Sequence, residues 1–249
     1  MTEHITSHQN PLLVHIRKLL NSRSYREKNR QFAGEGTKLL DEAIRWQAAL
    51  RVVLLADTVA VPQLPDDVRT VIVPADVLQF VSTMDAPQGA IFVCDYPAEA
   101  PLQISKKCLI LDGIQDPGNV GTILRTADAL EIPVVLSTGC ADAYNPKTVR
   151  ATMGALFRNP PQAASREDIL RHCAENHVPV YATALSDTAV EIHQADLNGA
   201  VVIGSEGKGV CAEYLSAAKQ HIIIPMNPRC ESLNAAIAAA IVMWEISKN

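Results

Sequence analysis

Five short, continuous apolar runs, KCLILD (107–112), PVVLST (133–138), PVYATAL (179–185), AVVIGSE (200–206) and HIIIPM (221–226), alternate with segments of helical periodicity through the second half of this chain. Runs that are apolar at every position, rather than at every second one, suit strands buried on both faces. A parallel α/β sheet covered by helices is therefore expected, with helices from Val120, near TVRATMGAL, over REDILRHCAENH and in SLNAAIAAAIVMWEISK. Such sheets bind ligands beyond the carboxyl ends of their strands.

The first half reads as a smaller α/β module. After a disordered start, Leu12, Leu13, Ile16, Leu19 and Leu20 give helical spacing over 11–31, and GEGTKLLDEAIRW a second helix opening at Gly36 or Thr37. RVVLLAD, TVIVP and GAIFVCD read as strands, with the helix-like PADVLQFVSTM between the last two. The proline-bearing, aperiodic DYPAEAPLQIS (95–105) is the expected linker, dividing the chain into domains 1–103 and 104–249.

The formal charge is −5, yet Arg17 to Lys38 holds seven basic side chains against two acids. The overall balance argues against a protein that coats nucleic acid non-specifically, and the basic run reads either as a solvated helix face or as a phosphate-gripping surface. The six cysteines form no CxxC pair and no metal-finger spacing, and the seven histidines are scattered, so buried free thiols, no metal and a reducing cytoplasm are expected. No apolar run has the length of a membrane span.

Three strand ends are polar and glycine-rich beyond a packing requirement. The first, Asp116-Pro117-Gly118-Asn119-Val120-Gly121, breaks the strand and opens a helix that carries Arg125, with Asn119 placed to cap. Free N–H groups there favour an anionic or polar ligand, although Arg125 could equally pair with Asp128 or Asp112. The second, Ile203-Gly204-Ser205-Glu206-Gly207-Lys208-Gly209, is neither a P-loop nor a dinucleotide fingerprint, which also argues against a doubly wound oxidoreductase. Its glycines permit a backbone to approach a bulky ligand closely, or only a tight turn. In the third, Pro225 ends an apolar strand, Ser232 can cap the last helix, and Asn234 falls in its first turn with a hydrogen-bonding duty.

Taken in order, N-x-G-x-x-x-R-T-A (119–127), I-G-S-E-G-x-G (203–209) and I-P-M-x-x-x-x-E-S-L-N (224–234) resemble the three signature motifs of the SpoU or TrmH family of RNA 2′-O-ribose methyltransferases, within the SPOUT superfamily. The resemblance spans about Ser105 to Asn249 and takes in NPKTVRATMGALFR (145–158); Pro228 stands where many relatives carry glycine. SRSYREKNRQFAGEGTKLLDEAI is similar to the L30e-like substrate-binding domain of rRNA-modifying members.

The resemblance implies a C-terminal SPOUT domain with a deep trefoil knot, S-adenosylmethionine as methyl donor, and a homodimer built on the terminal helix. It implies that Gly204, Ile224, Met226 and Leu233 bind the cofactor. Arg125 corresponds to the catalytic arginine, with Asn119 and Glu206 orienting it and the loops, and Ser232 and Asn234 hydrogen-bonding at the pocket. A guanidinium normally stays charged, so electrostatic stabilisation suits Arg125 better than general-base action. Arg23, Arg26, Lys28 and Arg30, beside Tyr25 and Phe32, would then grip phosphates and stack a base of RNA, most naturally large-subunit rRNA. The alternatives are a tRNA ribose methyltransferase or an inactive RNA-binding protein of the same fold.

Overall fold

The computed structural model describes residues 2–186, 188–205, 207–227 and 229–248. They fall into two units, Met1–Ala98 with Tyr144–Arg158, and Glu99–Ala143 with Asn159–Asn249.

In the first unit the amino terminus is ordered, as strand β1 (Thr2–His4) beside a later strand. The helix expected over 11–31 is two helices. α1 (Pro11–Asn21) starts with Pro11 at its first position and the Asn10 side chain on the Leu12 amide, and it buries Leu13, Ile16, Leu19 and Leu20. Ser22 is extended and caps α2 (Arg23–Asn29) through the Tyr25 amide, and Arg30 closes α2 in the left-handed conformation, φ 52°. The chain then enters β2 (Gln31–Glu35), an element that the helical reading missed.

α3 (Thr37–Arg45), β3 (Leu50–Ala56), β4 (Arg69–Val73), α4 (Ala75–Val81) and β5 (Ala90–Asp95) complete this part. The sheet order is β1-β4-β3-β5-β2, the first three parallel and the last two antiparallel to their neighbours. α1 and α4 share one core with one sheet face; each fully buried Leu or Ile there stabilises the fold by roughly 1.5–3 kcal/mol.

The second unit opens with β6 (Cys108–Asp112), α5 (Pro117–Ala129) and β7 (Val134–Leu136). The chain next contributes α6 (Pro146–Ala151) and α7 (Ala155–Arg158) to the first unit, where Tyr144 and Phe157 pack on Phe32 and Phe157 also reaches Phe92. Arg150 donates to the buried Glu35 carboxylate at 2.6 Å. Glu35 also accepts from Ser82 Oγ at 2.6 Å and the Thr83 amide at 2.9 Å, so its buried charge is compensated.

β8 (Gln162–Ala163), α8 (Arg166–Glu175), β9 (Val180–Thr183), β10 (Val190–Glu191), β11 (Ala200–Gly204), α9 (Ala212–Ala217), β12 (Gln220–Ile223) and α10 (Ala235–Lys248) finish the second unit. Its sheet, in the order β10-β12-β9-β11-β6-β7-β8, is parallel at every pairing, as the continuous apolar runs require. Register pairs Gly204 with Asp112, so the ends of β6 and β11 lie side by side and the first two motifs leave the same edge. Among the described residues no helix is long and apolar enough to cross a membrane.

Candidate active site

The helix that carries the first motif starts earlier than its sequence suggests. Pro117 sits at the first helical position, where its missing N–H costs nothing, and Asp116 rather than Asn119 is the cap, accepting from the Asn119 amide at 2.8 Å. Asn119 is thereby released to face the third motif: its Oδ1 accepts from Asn234 Nδ2 at 3.1 Å. Asn234 is not inside the last helix but in front of it. Its Oδ1 accepts from the amides of Ala236 at 2.9 Å and Ile237 at 3.3 Å, so Asn234, and not Ser232, caps α10. One amide thus closes a helix end and joins two motifs more than a hundred residues apart, along the line where α10 packs on α5.

Beside that junction lies a cavity of about 520 Å³, lined among others by Gly204, Ile224, Met226, Ser232 and Leu233. Ile224 follows the last residue of β12, and Pro225 cannot extend the ladder, so the backbone here turns away from the sheet. Gly204 has no space for a side chain: a Cβ there would lie 2.0 Å from the carbonyl carbon of Gly209. The loop folds back on itself, with the Gly209 amide donating to the Ser205 carbonyl at 2.8 Å and Gly209 at φ 66°. A larger cavity, about 870 Å³, opens beside α8 and α9, but it holds none of the motif residues and does not lie at the strand ends that carry them.

Arg125 is exposed on α5, and among the described residues it has no ion pair or side-chain hydrogen bond. Asp112, one of its candidate partners, is instead taken by Arg166, whose Nε donates to Oδ1 at 2.9 Å and whose pKa is held above its ordinary value chiefly by that bond. The other oxygen, Oδ2, accepts the Cys211 amide at 2.9 Å. Asp112 is only 3% exposed and tethers the far end of the loop that begins at Gly204. The sequence offers it only as a possible partner of Arg125; the sign of its tethering role is a carboxylate ending a wholly apolar strand, where a charge needs a partner. Glu206 and Pro228 lie outside the described residues.

The four basic residues assigned to RNA separate into two kinds. Arg23, Lys28 and Arg30 are exposed, Arg23 paired with Glu27 at 2.8 Å and Arg30 above the Tyr96 ring at 5.1 Å. Arg26 is 2% exposed and donates to the Leu19 carbonyl at 2.7 Å, closing the α1–α2 corner, so it is a structural residue and not a phosphate contact. Phe32 is buried among Tyr96, Tyr144 and Phe157 and cannot stack a base. Cys94, Cys108 and Cys173 are buried, with burial pushing the Cys108 thiol up to about 12, but Cys230 is exposed. Among the described residues no group of three or more His, Cys, Asp or Glu could hold a metal ion.

Residues 106–244 match the SpoU rRNA Methylase family, and residues 10–91 match the MRM3-like substrate binding domain. The chain is 34% identical to the 23S rRNA (guanosine(2553)-2′-O)-methyltransferase RlmP of Bacillus subtilis, over 92% of this chain and 93% of that protein. It is 28% identical to rRNA methyltransferase 3A, mitochondrial, of Danio rerio, over 94% of this chain and 67% of that one. The crystal structure of an AdoMet-bound rRNA methyltransferase from Sinorhizobium meliloti superposes with a TM-score of 0.88 at 28% identity, covering 99% of this chain and 98% of that one. Strand ends, loops and family match agree over more than half the sequence: the chain belongs to the SpoU rRNA methylase family.

Proposed function

We propose that this protein methylates a ribose 2′-hydroxyl of large-subunit rRNA, using S-adenosylmethionine, as a cytoplasmic homodimer. The observation that carries this reading is the Asn119–Asn234 hydrogen bond beside the cavity lined by Gly204, Ile224, Met226 and Leu233. The relative in Bacillus subtilis, named for 23S rRNA, supports the substrate class.

The residues present fit the cofactor. The cavity wall is mostly apolar side chain and turning backbone, with Lys208, His221 and Glu231 as polar points, and the Gly204 position admits nothing larger than hydrogen, which suits recognition of a nucleoside through main-chain groups, shape and a few polar contacts. When bound, S-adenosylmethionine supplies a methyl group on a positively charged sulfur. The chain's own residues prepare the acceptor. A ribose hydroxyl is a weak acid, so negative charge develops on its oxygen as it attacks, and the permanently charged Arg125 stabilises that charge and positions the adjoining phosphate. Asn119 and Asn234 hold the first and third loops in one arrangement, Ser232 hydrogen-bonds at the cavity wall, and Glu206 orients Arg125 and the second loop.

The dimer reading is supported by α10, where Ile237 and Trp244, seven residues apart on one helical face, are 54% and 55% exposed. A second copy would cover this stripe and bring Arg125 to the other copy's cavity. Residues 1–103, completed by Tyr144–Arg158, recognise RNA, and the remainder of 104–249 carries out methyl transfer on a knotted fold, a reading supported by family membership and by the return of the late strand β11 to the middle of the sheet. Incubation with tritiated S-adenosylmethionine and unmodified rRNA or tRNA, followed by ribose analysis, tests the reading. Label on a 2′-oxygen of rRNA is expected; label on tRNA alone would change the substrate, and cofactor binding without transfer to either would favour an RNA-binding role.

A further inference from the structure

The segment Tyr144–Arg158, which lies in the sequence between two strands of the catalytic unit, does more in the first unit than cover aromatic rings. Arg158 Nη1 donates to Glu42 Oε2 at 2.5 Å, and its guanidinium carbon lies 5.5 Å from the centroid of Trp46, one turn further along α3's row. Arg45 approaches the same ring at 5.8 Å and is 73% exposed. Trp46 itself is 45% exposed.

The comparison within this unit is informative. Phe80 is sandwiched, with the Arg17 guanidinium 4.1 Å from its centroid and His8 stacked at 4.5 Å and 7°, which leaves no face for a ligand. The two guanidiniums over Trp46, at 5.5 and 5.8 Å, stand further from the ring than Arg17 does from Phe80, and the indole keeps 45% of its surface exposed. The support beneath is closely packed. Gly154, at φ 91°, would place a Cβ 2.8 Å from Glu42, so this turn fits α3 only as glycine, and the preceding Met153, at φ 49°, is half exposed.

We propose that Trp46, bordered by Arg45 and Arg158, is a stacking platform for one unpaired base of the RNA substrate, with the two guanidiniums on its flanking phosphates. An exposed indole ringed by cations suits a nucleotide, which offers a flat π-face and negative charge together, better than an apolar protein surface, which would have to desolvate both guanidiniums. The proposal rests on the rRNA-methylating reading and adds to it a base contact outside the catalytic unit.

The test uses the full chain, with RNA affinity, methyl transfer, S-adenosylmethionine affinity and oligomeric state measured for wild type, Trp46→Ala, Trp46→Phe and Arg45→Ala on an rRNA transcript. Trp46→Ala should weaken RNA binding about tenfold and raise KM for RNA, with kcat and cofactor affinity unchanged. Trp46→Phe, which keeps a ring, should recover most of the loss, and Arg45→Ala should lower the salt slope by about one. RNA affinity of Trp46→Ala within twofold of wild type, in an enzyme that still methylates, would overturn the platform and leave the methyltransferase standing. Wild type that neither binds nor methylates RNA would remove both. A change of oligomeric state at normal RNA affinity would also overturn the platform and assign the patch to a protein contact.

Discussion

The carboxylate of Asp112 accepts the backbone N–H of Cys211 at 2.9 Å, across 99 positions of sequence. The end of the first motif's strand thereby holds the exit of the second motif's loop, and Arg166 neutralises the buried charge from a third element. Removing the carboxylate orphans a partly buried amide and a guanidinium together. Asp112→Ala should cost about 2–4 kcal/mol of stability and weaken cofactor binding, while Asp112→Asn, which keeps an acceptor for Cys211, should lose less. Denaturant unfolding and calorimetric titration with S-adenosylmethionine measure both; equal losses in the two variants would count against the tether.

Gly204→Ala meets backbone rather than flexible side chain, with three atoms of Gly209 and Val210 within 2.2 Å of the added carbon. The loop must open to admit it. A loss of about 3 kcal/mol or more in stability, or of cofactor binding beyond detection in a protein that still folds, is expected from thermal melts and titration.

The Asn119–Asn234 bond is separable from the helix cap. Asn234→Ala removes both and should cost about 1–2 kcal/mol, whereas Asn119→Ala removes the bond between motifs but leaves the α10 cap in place and should cost about 1 kcal/mol or less. A double-mutant cycle should return a coupling of about 0.5–1.5 kcal/mol, and a value near zero would mean that the two amides do not cooperate.

Among the described residues Arg125 takes part in no ion pair, and it is exposed, so its removal should disturb stability little. Arg125→Ala should lower kcat by about 10²–10³ with S-adenosylmethionine affinity nearly unchanged. Near-normal turnover would exclude it from the chemistry.

The basic segment predicts a contrast between neighbours. Neutralising Arg23, Lys28 and Arg30 together should weaken RNA binding and reduce its salt slope by up to about three, while melting temperature stays near wild type. Arg26→Ala should do the reverse, lowering the melting temperature because the Leu19 carbonyl loses its donor, with the salt slope intact.

What the sequence made legible follows from how strongly each residue's surroundings are dictated by its type. Continuous apolar runs such as CLILD and AVVIG have one stable destination, a sheet buried on both faces, and they are β6 and β11. β2 was hidden because QFAGE follows directly on a helix whose end depends on Arg30 adopting a left-handed backbone, which no arginine announces. Capping misled for a similar reason: Asp116 and Asn119 are both good caps, and only Pro117 at the first helical position decides between them. A buried arginine looks like an exposed one in a sequence, so Arg26 reads there as a phosphate contact, and only its bond to the Leu19 carbonyl makes it a structural residue. The cavity's lining was legible through motif resemblance alone, since glycine, isoleucine and leucine carry no chemistry that spacing could reveal.

The return of Tyr144–Arg158 to the first unit sets a limit on how this protein can be cut, shuffled or inherited in pieces. A fragment ending at the linker would bury the Glu35 charge without Arg150 and leave Phe32 and Phe92 without the rings of Tyr144 and Phe157. The recognition unit is therefore not a bead that can be strung onto another enzyme: part of its interior is encoded within the gene segment for the catalytic unit, and exchange between relatives must carry both stretches together.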